Sequence, residues 1–261
     1  MTILHKLNAV PKLVEDGLCY LATCGSIAYG TNNEDSDIDL VGIYMPPKQY
    51  LYPQDYGFIQ GFSEPQAIDE VCQVHHVYDE AGKEYDINIF NIIKFFKLAK
   101  QGNPNILDMI FVKPELHLFK NVVGKTIYEA RSLFVSKDMY HKFRGMVKNH
   151  IMGLRKVKTV GRRAGLVDKF GYDTKDAGHA IRIQYALVSL LEYGTYEVDE
   201  KASLITDIRN GMYPVSQIED LHRETDTYLE GLIKTSKIAD HVNEVRIHQL
   251  LQHCIDIYYK E

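Results

Sequence analysis

The chain has 261 residues, 45% of them hydrophobic and 25% charged, and a formal net charge of −5. This composition excludes a disordered or fibrous chain, no uninterrupted apolar stretch approaches the roughly 20 residues of a membrane span, and the net acidity weighs against a dedicated nucleic-acid coat. Four cysteines, Cys19, Cys24, Cys72 and Cys254, lack C-x-x-C spacing and sit among apolar neighbours, so they read as buried free thiols rather than disulfides or zinc ligands.

In chain order, residues 1–17 read as a leading helix with charges running through its apolar positions and no small-residue cleavage site. No signal peptide is expected from them, and the protein is read as cytoplasmic. Leu18, Tyr20, Leu21, Ala22 and Thr23 suit a buried strand, and Ile38, Leu40, Val41, Ile43 and Tyr44 a second. Residues 25–40, GSIAYGTNNEDSDIDL, lead from the end of the first into the second. A polar, proline-containing excursion follows over residues 46–70. Val71, Gln73, His75 and Val77 then alternate up to a turn at 79–83, and residues 84–87 return as the other arm of a hairpin. His75 and His76 have no partner at ligand spacing and read as ordinary strand residues.

Residues 88–102, NIFNIIKFFKLAKQG, repeat apolar side chains at three and four and predict a helix stopped by Gly102. NPNILDMIF restarts a shorter helix after Pro104. From about residue 125 onward the pattern is helical, at 138–158, 173–193, 201–210, 215–236 and 241–259. Gly194 and Gly211 stand at C-terminal stops, and Asp173 or Thr174 caps the second of these helices. The expected fold is α+β: a small mixed-sheet domain over residues 1–125, then a helical bundle domain over 126–261, with a cleft between them. There are no internal repeats.

The chemistry concentrates in residues 25–40. Successive strand side chains face opposite ways, so Asp37 and Asp39 share one face while Ile38 and Leu40 share the other. Two carboxylates about 7 Å apart along a strand can converge on a pair of cations about 3.5 to 4 Å apart. Hard oxygen donors suit Mg2+ or Mn2+, which complete their shells with water and substrate phosphate oxygens. Gly25 lets the backbone approach a phosphate with no Cβ in the way, and Ser26 adds a hydroxyl and an amide donor. A solvated strand edge is the plainer reading of S-D-x-D alone, but like charges side by side on a strand repel unless a cation lies between them.

A two-ion site calls for a third carboxylate. Asp86, at the end of the returning hairpin strand, is the choice, with Glu84 on the same strand face as the alternative. Lys175, His179 and Arg182 fall at i, i+4 and i+7 on one helix face, opposite an apolar stripe of Ala180, Ile183, Ala186, Leu187 and Leu190. Such a cationic face could pin a triphosphate. Between residues 140 and 169 lie nine of the chain's 30 basic residues, Lys142, Arg144, Lys148, Arg155, Lys156, Lys158, Arg162, Arg163 and Lys169, with Asp168 the only acid. That segment could meet the phosphates of a nucleic acid.

These stretches resemble the DNA polymerase β-like nucleotidyltransferase superfamily and, within it, the RNA repair pathway DNA polymerase β family. The likeness spans residues 19–213. It rests on GS…SDIDL within 24–40, on KFFKLAKQGNPNILDMI within 86–110, and on YDTKDAGHAIR and DIRNG within 172–211. The resemblance implies that Gly25 and Ser26 grip the β and γ phosphates, that Asp37 and Asp39 are the paired metal ligands, and that Asp86 is the third. Lys175, His179, Arg182 and Arg209 match polar positions of the family's helical half, which implies contact with the substrate.

The expected activity is transfer of an NMP from an NTP to a hydroxyl, with release of pyrophosphate and with two Mg2+ or Mn2+ ions. An RNA or DNA end is the favoured acceptor, ahead of a protein or small-molecule hydroxyl. A non-catalytic nucleotide-binding module on the same fold is the reading from another class, and an antitoxin-like enzyme that nucleotidylates a protein is a third. Nothing in the sequence speaks to oligomeric state.

Overall fold

A computed structural model of the protein describes residues 2–34, 36–51, 70–155 and 162–260. The leading segment forms two short helices rather than one, α1 (Ile3–Leu7) and α2 (Lys12–Asp16). Asn8 ends α1 in the left-handed conformation, and Pro11, which has no N–H to donate, starts α2. Strand β1 (Leu18–Cys24) runs directly into a single turn of helix, α3 (Gly25–Ala28), and the chain returns as β2 (Ile38–Tyr44). After β2 comes α4 (Lys48–Leu51); most of the excursion expected over 46–70 lies outside the described residues.

The hairpin forms as β3 (Val71–Tyr78) and β4 (Glu84–Asn91). β4 is longer than the pattern suggested, because residues 88–91 belong to the strand and the helix begins only after it, as α5 (Ile92–Lys100), with Asn91 as its cap. In this stretch Tyr85, Ile87, Ile89 and Asn91 are buried at every second position, and seven consecutive residues of β4 pair in parallel with β2. Sheet pairing overrides the helical periodicity there. α6 (Pro104–Ile110) follows, then β5 (His117–Lys120) and α7 (Val122–Glu129), neither of which the periodicity revealed.

The sheet has five strands in the order β3-β4-β2-β1-β5, with β2 and β4 parallel and the other neighbours antiparallel. The helical part consists of α8 (Met139–Gly153), α9 (Arg162–Phe170), α10 (Thr174–Tyr193), α11 (Ala202–Arg209), α12 (Val215–Thr235) and α13 (Glu244–Lys260). Asp173 caps α10 by accepting from the Asp176 N–H, and Gly194 closes it in the left-handed conformation. The fold is thus α+β, a mixed sheet followed by helices.

Both faces of the sheet are covered. On one, Leu4, Val10 and Val14 pack against Leu21, Leu40, Ile87 and Ile89. On the other, Tyr20, Ala22 and Ile43 join an apolar cluster that takes in Phe95, Phe134, Phe143, Leu187, Leu229, Ile247 and Cys254. All four cysteines are free and buried. Among the described residues, no helix is long and apolar enough to cross a membrane.

Candidate active site

The register of the sheet builds the acidic centre. Asp39 lies directly across from Asp86 on the parallel neighbour and from Cys24 on the antiparallel one. Asp37 sits just before β2. One carboxylate oxygen from each of Asp37, Asp39 and Asp86 falls within 4.8 Å of the other two. Burial, reinforced by the charges of Asp37 and Asp86, pushes the Asp39 carboxyl up to about 6; Lys175 and His75 oppose the rise. A centre that raises the cost of its own ionisation, and consists of hard oxygen donors, fits one or more divalent cations.

Gly25 is required by this centre more directly than by any phosphate. Its φ is +61°, and a Cβ there would sit 1.7 Å from Oδ2 of Asp39. The missing side chain lets the carboxylate rest against the turn after β1. Ser26 follows with its Oγ buried and without a hydrogen-bond partner among the described residues. A buried hydroxyl without a partner costs about 1 to 3 kcal/mol, and a phosphate oxygen or water in the cleft would relieve it.

The cleft has a volume of about 350 Å³. Its sheet-side wall is Gly25, Ser26, Asp37 and Asp39; its helical wall includes Lys175, His179 and Arg182 from α10 and Arg209 from α11. Lys175 is exposed at the rim. His179 is half-buried, and desolvation together with the Arg182 charge pushes its imidazole down to about 3, so it is neutral at pH 7. Nη1 of Arg209 donates to Thr31 Oγ1 at 2.7 Å, which ties α11 to the loop between α3 and β2.

Arg182 behaves differently from the sequence expectation of a cationic face apart from the core. α10 is buried almost all round, and Arg182 is only 4% exposed. Its Nη1 and Nη2 donate to Oδ1 and Oδ2 of Asp108 at 3.0 and 2.8 Å. Tyr29 and Tyr196 donate their hydroxyls to the same carboxylate at 2.8 and 2.6 Å, and the guanidinium stacks 3.7 Å from the Tyr29 ring centre. Burial alone would discharge Asp108; Arg182 and the hydrogen bonds outweigh it and hold the carboxyl below its ordinary value. Nε of Arg182 is buried and lacks a partner among the described residues.

Sequence reasoning missed Asp108, Tyr29 and Tyr196, as well as Thr31 and His150, which also line the cleft or brace it. An aspartate inside the apolar run NILDMIF was the available signal, since a charge in such a run needs a buried partner. His75 and His76 are also more than ordinary strand residues: a register shift between Val74 and Val77 brings both beside Asp86 and Glu84. The alternative third carboxylate, Glu84, groups with His76 and Asp86 rather than with Asp37 and Asp39. Within the basic run, Arg144 pairs with Asp226 and Glu230, and Arg155 with Glu219. Lys142, Lys148 and Lys169 are exposed, and Lys156 and Lys158 lie outside the described residues.

Residues 1–223 of the chain match the RNA repair pathway DNA polymerase beta family. An uncharacterized 38.9 kDa protein from the nrdC-mobD intergenic region of Enterobacteria phage T4 is 30% identical over 118 residues, 44% of this chain, and the match spans about a third (32%) of that relative's length. Among solved structures, a nucleotidyltransferase-like protein from Exiguobacterium sibiricum 255-15 aligns with 84% of this chain and 69% of its own, at 12% identity and a TM-score of 0.30. The CD-NTase CdnG of Bradyrhizobium diazoefficiens, solved in complex with GTP, aligns over 98% and 91% at 10% identity and a TM-score of 0.20.

Proposed function

Because the chain belongs to the RNA repair pathway DNA polymerase beta family, we propose that it transfers the nucleotidyl group of an NTP to a hydroxyl, most readily one at an RNA end, and releases pyrophosphate. The observation that carries this reading is the meeting of Asp37, Asp39 and Asp86, the first two of which line the cleft beside the Gly25-Ser26 turn. An oxygen–phosphorus bond forms from the acceptor to the α phosphorus, and the bond to the bridging α–β oxygen breaks. That oxygen departs with the electron pair as part of pyrophosphate, and the acceptor's hydroxyl proton passes to water.

Asp37, Asp39 and Asp86 would hold Mg2+ or Mn2+, which when bound polarises phosphoryl oxygens and lowers the pKa of a bound hydroxyl. The Ser26 hydroxyl and the backbone at Gly25 orient the terminal phosphates. Lys175 and Arg209 place positive charge where the leaving pyrophosphate gains negative charge. Arg182, with both terminal nitrogens on Asp108, fixes the wall of the cleft. Neutral His179 serves as a hydrogen-bonding group rather than as a cation.

The commitment of Arg144 and Arg155 to acidic partners reduces the charge available to a nucleic-acid strand and favours, as a second reading, a protein or small-molecule hydroxyl as acceptor. One experiment separates these. Pyrophosphate release is measured for each NTP and dNTP with Mg2+ or Mn2+, with and without short RNAs, against the Asp37→Asn/Asp39→Asn double variant. Release that depends on RNA and on both aspartates is expected. Release without RNA moves the acceptor to the second reading, and equal release by the double variant sinks the assignment.

A further inference from the structure

The β3–β4 hairpin holds a constellation of which the transfer reaction uses only Asp86. Val74 pairs with Ile87 and Val77 with Tyr85, so two residues, His75 and His76, stand opposite the single Asp86. This is a β-bulge, and His76 adopts it with φ +56°. In a regular strand neighbouring side chains face opposite ways. Here the extra residue resets the alternation: Nδ1 of His75 lies 3.3 Å from Asp86 Oδ2, while the His76 N–H donates to Asp86 Oδ1 at 2.9 Å. The ring of His76 turns to Glu84, with Nδ1 2.5 Å from Oε1.

We propose that His76, Glu84 and Asp86 form a second metal site, one that selects a first-row transition ion such as Zn2+ over Mg2+. One donor atom from each residue lies within 4.8 Å of the other two. The donor set is one imidazole nitrogen and two carboxylate oxygens, whereas the centre at Asp37 and Asp39 offers oxygen alone. Imidazole suits zinc and its neighbours in the first transition row, and magnesium prefers oxygen ligands in a strict octahedron. The side chains of Glu84 and Asp86 are 16% and 20% exposed and that of His76 is 75% exposed, so water has access to the remaining coordination positions.

His75 stands beside the same carboxylate and orients it from the other side, the kind of outer contact that tunes a ligand. Asp86 belongs to both groups, which places the hairpin ion next to the transferase centre.

The test uses the full chain stripped with EDTA and no nucleotide, so its outcome is independent of whether transferase activity is found. Zn2+ is titrated against a chromophoric chelator in millimolar Mg2+, and histidine ring resonances are followed by NMR. One Zn2+ should bind in the presence of Mg2+ and shift the His76 ring. His76→Ala and Glu84→Gln should each weaken it by about tenfold or more, since loss even of an outer-shell partner costs about 10- to 100-fold. The Asp37→Asn/Asp39→Asn variant should retain it. Zinc affinity untouched by His76→Ala and Glu84→Gln, zinc binding lost with Asp37 and Asp39 instead, or displacement by Mg2+ would each overturn the proposal and leave His76–Glu84 as an ordinary ion pair.

Discussion

Replacing Asp108 by Asn tests whether the buried network behind the cleft holds the fold together. The substitution keeps the shape and some hydrogen bonds but removes the charge that offsets Arg182. Both partners are almost fully buried, at 1% and 4% exposure, so solvent does not screen the pair. Removing one partner of a buried ion pair costs about 3 to 5 kcal/mol, because the other charge is left uncompensated. For a chain of this length each kcal/mol moves the melting temperature by about 2 to 4 °C, so a fall of about 10 °C is expected. Urea unfolding should show a lower midpoint at an unchanged slope, which separates lost stability from a change in compactness. The double variant Asp108→Leu/Arg182→Met, which swaps the pair for apolar volume, should recover only part of the loss, because the hydroxyls of Tyr29 and Tyr196 lose their acceptor. An Asn variant within about 1 kcal/mol of the native protein, or a double variant worse than the single, would refute this account.

Two further predictions concern the acidic centre. Gly25→Ala places a methyl group 1.7 Å from Asp39 Oδ2, and a displacement on the order of 1 Å costs about 100-fold in rate; pyrophosphate release at the wild-type rate would contradict the geometry. For Asp39, the folded-state carboxyl at about 6 against an ordinary 3.8 means that between those pH values the native chain holds more protons than the unfolded one. The metal-free protein should therefore lose about 3 kcal/mol as pH rises through that window and change little above it. In EDTA at pH 7, Asp39→Asn should melt above the native protein and lack this pH dependence; melting below it would reverse the sign of the argument.

The parts of the molecule legible from sequence are those governed by local rules. The spacing of Asp37 and Asp39 brings their carboxylates together although Asp37 precedes β2, the turn at 79–83 set up the hairpin, and Asp173 and Gly194 bracket α10 where capping chemistry requires. What escaped depends on partners remote in the chain. Asp108 acquires its meaning only when Tyr29, Arg182 and Tyr196 arrive from three other segments. Residues 88–91 carry a helical pattern that yields to parallel pairing with β2, and the two histidines share a carboxylate only because of a one-residue slip in register. Arg182 reads as a surface cation by spacing because spacing says nothing about what covers a helix.

The family match ends at residue 223, yet Leu229, Ile247 and Cys254, all beyond it, are buried in the apolar cluster on the sheet's site-bearing face. Tyr259 donates its hydroxyl to the carbonyl of Pro46, just past β2. During synthesis the strands emerge long before α13, so that side of the core waits, partly bare, until α13 has left the ribosome. In a living cell this makes the nascent chain a candidate for chaperone capture, and it makes a premature stop after residue 223 a lesion in the sheet's own lining rather than the loss of an appendage.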